Sequence, residues 1–171
     1  QVVGYRKLRW YSREEFMCLD NATRRNLELV AALRDGRRKG SLLWAVDATL
    51  TPMGGRMLRS WILQPLVNLD ALKRRQAAVA HLVQDHFLRA EVRGLLASCH
   101  DLERLVARAG TGLANARDLA AVGATLDQLA KLRAVLEGTA CAELAELRSR
   151  LDPLPDLADL LRRAIADQPR P

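Results

Sequence analysis

Aromatic side chains make up only 4% of the 171 residues. That scarcity excludes a platform of stacked rings for single-stranded nucleic acid. β-Branched residues are sparse too, so strand-rich folds lack their usual material. No apolar run approaches the ~20 residues of a membrane-spanning helix, and Gln1–Trp10 is basic without the apolar stretch of a secretory signal. The three cysteines, Cys18, Cys99 and Cys141, are widely spaced and odd in number. They point away from a disulfide framework and toward reduced, partly buried thiols in a cytoplasmic protein.

Familiar catalytic patterns are missing as well. Gly110-Thr111-Gly112 lacks the Gly-Lys-Ser/Thr of a phosphate-binding loop and reads as a helix break. His81, His86 and His100 are not spaced as metal-ligand pairs, and Ser41, Ser60 and Ser98 lack a nucleophile-elbow context. The chain is therefore expected to be neither an enzyme nor a holder of metal or cofactor on its own. The net charge of +7 favours a polyanionic partner, although most arginines sit near Asp or Glu as on a solvated helical face.

Leucine, alanine and arginine dominate, a balance that favours helices. An all-α fold is expected after a short extended stretch over residues 1–19, with a polar turn at Ser12–Glu15. Asp20 or Asn21 caps a helix over Ala22–Arg34 that Gly36 stops. Its apolar face comprises Ala22, Leu29, Val30 and Leu33, with Asn26 as a buried hydrogen-bonder. Ser41 caps a short helix to Asp47, and Asn68 caps one over Leu69–Val83 with Leu69, Leu72, Val79 and Val83 inward. Shorter helices over residues 86–97 and 101–109 follow, Leu105 and Val106 among their apolar positions.

Asn115 and Asp118 have the spacing of a capping box, Asp replacing the usual Glu or Gln. The helix they open spans Ala116–Glu137, about 33 Å at 1.5 Å per residue. Leu119, Val122, Leu126, Leu129 and Leu136 form a narrow seam interrupted by Arg133. It resumes at Leu144, Leu147, Leu151 and Leu154, Pro153 and Pro155 bend the chain, and Leu157, Leu161 and Ile165 close a last helix. With no returning arm beside it, the seam over Leu119–Leu136 is expected to be exposed and to pair copies of the chain.

The densest signal lies in Thr51-Pro52-Met53-Gly54-Gly55-Arg56-Met57-Leu58-Arg59-Ser60-Trp61-Ile62-Leu63-Gln64-Pro65-Leu66. This is a helix with a threonine cap, proline in its first turn and proline at its stop. Two glycines inside it cost up to about 1 kcal/mol each against alanine, which implies a backbone passing close by. With the run Leu19-Asp20-Asn21-Ala22-Thr23-Arg24-Arg25-Asn26-Leu27-Glu28-Leu29, it resembles the core, or lever, domain of MutS-type DNA mismatch-repair ATPases. Asp101-Leu102-Glu103-Arg104 and Asn115-Ala116-Arg117-Asp118-Leu119 extend the resemblance, Ala116 standing where family members often have proline.

The resemblance implies a helical core block over residues 20–112 and lever helices over residues 113–171 leading toward a DNA clamp. It implies that Arg24, Arg25, Asn26, Glu28, Arg56 and Trp61 serve interdomain coupling, with Gly54, Gly55, Asn115 and Asp118 as structural positions. ATP and Mg are implied for a parent protein only, as are mismatched duplex DNA, a MutL-like partner, a homodimer and the parent's other domains. The implied location is the bacterial cytoplasm, at the nucleoid, with no membrane partner. Two alternatives are a stand-alone basic helical nucleic-acid-binding module and the lever of a MutS paralogue outside repair.

Overall fold

The computed structural model describes residues 15–165; the turn expected to begin at Ser12 lies partly outside them. Nine helices occur among the described residues: α1 (Asn21–Asn26), α2 (Leu42–Val46), α3 (Pro52–Leu63), α4 (Leu69–Gln84), α5 (His86–Ala97), α6 (Leu102–Gly110), α7 (Ala116–Val135), α8 (Ala142–Arg150) and α9 (Pro155–Ala164). The only β pairing among these residues is one isolated antiparallel bridge, Phe16 to Leu66. The all-α expectation holds. The chain divides into two compact units, one built from residues up to Asp47 with Leu58–Lys73, the other from Ala48–Met57 and from Arg74 onward.

In the first unit, the Asp20 carboxylate accepts the Thr23 N–H at 2.6 Å and starts α1. The helix expected to reach Arg34 ends instead at Asn26. Glu28 then adopts a left-handed φ of 49°, and its carboxylate accepts the Leu33 N–H. The carbonyls of Glu28 and Leu29 accept the N–H groups of Leu42 and Leu43, each at 2.9 Å. Tertiary pairing to α2 thus takes the groups that a longer helix would have used internally. Leu29 and Leu43 are buried, whereas Leu33 is exposed and so is Asn26, against the expected buried stripe. Ser41 caps α2 as expected, accepting the Trp44 N–H and donating to the Arg38 carbonyl. Asp47, at the other end of α2, pairs with Arg38.

The second unit is organised around α7, which packs along α5, α6 and α9. Its core is Leu105, Val122, Leu126 and Ala158, with Leu102, Ala121, Leu129 and Leu161 against it. The seam is therefore covered, and the expectation of an exposed stripe pairing copies of the chain loses its basis. Two features bring α9 onto α7: Leu154 turns the chain through a left-handed φ of 46°, and Pro155 starts α9 with φ already helical. Gly123 on α7 leaves room for the Leu161 side chain, 3.5 Å from where a Cβ would stand.

The seam also follows a different register. Leu132 is buried and Arg133 exposed, because a straight helix advances 3.6 rather than 3.5 residues per turn and drifts off a strict heptad. Elsewhere the inward faces were misjudged. Leu69, Val79 and Val83 on α4 are exposed while Leu72 is half-buried, and of the two expected α6 positions Leu105 is buried and Val106 exposed. Periodicity finds an apolar face, but only packing decides whether anything covers it.

Candidate functional site

Helix α6 ties together two segments that the sequence singled out separately. At its start, Asp101 accepts the Arg104 N–H as N-cap. The same carboxylate takes both Nη groups of Arg56 from α3, at 2.7 and 2.8 Å, while the Arg56 Nε donates to Glu103 at 2.9 Å. One guanidinium thus closes on two carboxylates, using the fork geometry that distinguishes arginine from lysine. The hydrogen bonds from Arg56 hold the Asp101 carboxyl below the usual carboxylate range, and both carboxylates raise Arg56 in turn.

At the end of α6, Arg108 reaches the start of α7. Its Nε donates to Asp118 at 2.9 Å and its Nη2 to the Leu113 carbonyl at 2.9 Å. The capping box is present: Asp118 N–H to Asn115 Oδ1 is 2.9 Å, and Asn115 N–H to Asp118 Oδ2 is 3.1 Å. Chiefly the Asn115 N–H, then Arg108, lower the Asp118 pKa. A nine-residue helix is thereby clamped to α3 by charge at one end and to the α7 cap at the other. Such a tie fixes the entry of the long helix relative to the Pro52–Met57 turn.

The expected close approach at the paired glycines is made by side chains, not by another backbone. A Cβ on Gly54 would stand 3.0 Å from Thr51 Oγ1, and one on Gly55 would stand 3.4 Å from Thr49 Oγ1. Thr51 Oγ1 also caps Gly54 N–H at 3.0 Å. The glycines thus let the threonine-capped turn close tightly, one turn from Arg56.

The remaining predicted positions fall in the first unit. Arg24 is half-buried, with its Nε shut off from solvent and without a hydrogen-bond partner among the described residues. Arg25 and Asn26 are exposed. Glu28 organises the loop described above, and Trp61 is partly exposed on α3. The sequence reading did not single out Thr125, which is fully buried on α7. Its hydroxyl donates to the Ala121 carbonyl at 2.8 Å and accepts the His100 N–H at 3.1 Å, fastening the α5–α6 junction to α7. The available signal was a lone hydroxyl between Val122 and Leu126 on an otherwise apolar face.

Among the described residues, no group of three His, Cys, Asp or Glu is placed to hold a metal ion, and no helix is long and apolar enough to cross a membrane. Burial raises the Cys99 thiol pKa, which lowers its nucleophilicity at neutral pH.

The family described as MutS domain III matches residues 22–171. A DNA mismatch repair protein MutS from Symbiobacterium thermophilum is 50% identical over 159 residues, covering 93% of this chain and 18% of that protein. One from Synechococcus elongatus is 48% identical over 168 residues, 98% of this chain and 19% of its own length. A Geobacillus thermodenitrificans relative of the same name is 45% identical over 159 residues. The chain spans about a fifth of the length of these curated relatives.

Proposed function

The chain belongs to the MutS domain III family, and from that membership we propose that it is the lever of a mismatch-recognition protein, coupling a DNA clamp to an ATPase. In this reading residues 20–112 are the core block and residues 113–171 the lever helices. Mismatched duplex DNA, ATP with Mg, a MutL-like partner and a second protomer act through the parent protein in the bacterial cytoplasm. The lever itself carries no reaction.

The observation that carries the reading is the double clamp on α6. A helix transmits displacement when its ends are fixed to the elements it must move, and packed helices shift between discrete arrangements rather than bending continuously. Arg56 with Asp101 and Glu103, and Arg108 with Asp118, supply such fixings. They also commit these arginines to carboxylates within the chain rather than to phosphate.

The test is a chimera in which this chain replaces the matching segment of the Symbiobacterium thermophilum relative. ATP hydrolysis is measured with and without mismatched duplex DNA. Coupling between sites is typically worth about 5–150-fold in affinity; Arg56→Ala should keep the rate without DNA and lose about fivefold or more of the DNA-dependent change. Full retention of that change in Arg56→Ala and Arg108→Ala alike would refute the reading.

A further inference from the structure

An open groove in the first unit runs between α1, the loop over residues 30–36 and the part of α3 beyond Met57. Four arginines line it: Arg24, Arg25, Arg34 and Arg59. Among the described residues none of the four makes an ion pair or a side-chain hydrogen bond, in contrast to the paired arginines of α6. The acid that lines it, Asp35, accepts the Arg37 N–H and faces the Arg37 side chain. The lining also includes half-buried apolar side chains, Val30 and Leu63.

We propose that this groove takes up an acidic polypeptide segment carrying apolar side chains, its carboxylates on Arg24, Arg25, Arg34 and Arg59 and its apolar groups on Val30 and Leu63. Four guanidinium groups outnumber the one lining carboxylate, Asp35, and Asp20 at the α1 cap acts only on Arg24, so the groove carries net positive charge and favours an anionic occupant. Guanidinium forks suit carboxylate and phosphate equally; the apolar part of the lining decides. A phosphate backbone has nothing to place on Val30 and Leu63, and among the described residues no aromatic ring lines the groove to stack a base. An amphipathic segment meets both requirements, apolar anchors along the floor and charges along the rim. This assignment uses neither Arg56 nor ATP hydrolysis, so its failure would be separate from failure of the coupling reading.

The test is fluorescence anisotropy of the 171-residue chain with a labelled 16-residue amphipathic Glu/Leu peptide, a Lys/Leu peptide of the same pattern and a 20-base-pair duplex. The Glu/Leu peptide should bind at least tenfold more tightly than the Lys/Leu peptide, and added salt should weaken it. Arg34→Glu with Arg59→Glu, both at exposed positions, should cost at least tenfold, and the neutral pair Arg34→Gln with Arg59→Gln should cost less in the same direction. Arg150→Glu, in the other unit, should leave binding unchanged. The proposal is overturned if the Glu/Leu peptide does not bind or if Arg150→Glu weakens it as much as the groove variants. It is equally overturned if those variants abolish duplex binding while leaving the peptide unaffected. Circular dichroism of each variant separates loss of binding from loss of fold.

Discussion

Arg56 holds Asp101 through two near-parallel hydrogen bonds, Nη1 to Oδ2 at 2.8 Å and Nη2 to Oδ1 at 2.7 Å. Asp101 is at the same time the N-cap of α6. One carboxylate therefore serves a local and a long-range purpose, and losing it removes both at once.

That double duty predicts that Arg56→Lys is not a conservative change. A lysine offers a point charge where the fork made two parallel bonds and a third to Glu103. Arg56→Lys should lower the thermal midpoint nearly as much as Arg56→Ala. A double-mutant cycle with Asp101→Asn should be clearly non-additive, as expected for side chains in direct contact. Additive losses in differential scanning fluorimetry would show that the pair contributes nothing beyond its two halves.

Acid sensitivity follows from the same carboxylates. Hydrogen bonds from Thr23, Arg56 and the Asn115 N–H hold Asp20, Asp101 and Asp118, respectively, below the usual carboxylate range in the folded chain. A depressed folded pKa means that the unfolded chain binds protons first, so the stabilisation is fully present above about pH 4 to 5 and is lost as pH falls through the folded values. Urea midpoints should thus be flat near neutrality and fall steeply below pH 4. Asp118→Asn should be less stable at pH 7 and show a shallower acid decline, since it removes one of the titrating groups. An unchanged acid slope in that variant would place the sensitivity elsewhere.

How much of this was legible depends on how local each cause is. The capping box at Asn115 and Asp118, the Ser41 cap and the Thr51-Pro52 start all arise from contacts within three or four residues, and they stand where the sequence put them. Arg56 was singled out by resemblance, but its partners lie 45 and 47 residues away, beyond any spacing rule. The helix from Ala22 failed at Glu28 because the pairing of Glu28 and Leu29 with α2 outcompeted further helical turns. The seam was found, but shifted to Leu132, because a heptad template was laid on a straight helix.

Thr125 offers a direct test of the position that the sequence hid. Thr125→Val keeps the shape and removes the hydroxyl, leaving the His100 N–H without its acceptor. A hydrogen bond contributes a net of about 0.5–1.5 kcal/mol, and that loss should appear in the urea midpoint. Thr125→Ser keeps the hydroxyl and should lose less. Equal losses in the two variants would mean that packing of the methyl group, not the hydrogen bond, holds α7 to the α5–α6 junction.

Two helical glycines should respond oppositely to alanine. Around Gly94, in the middle of α5, a Cβ would meet nothing within 4 Å. Gly94→Ala should therefore gain most of the propensity difference, about 0.5–1 kcal/mol. At Gly54 the same substitution puts a methyl group 3.0 Å from the Thr51 hydroxyl that caps the helix. The hydroxyl must give by a few tenths of an ångström, which weakens a cap worth about 0.5–2 kcal/mol and offsets the propensity gain. Chemical denaturation of the two variants side by side should show a higher midpoint for Gly94→Ala and none for Gly54→Ala. Equal stabilisation in both would mean that the threonine turn yields easily, and that the glycine pair is not there to let it close.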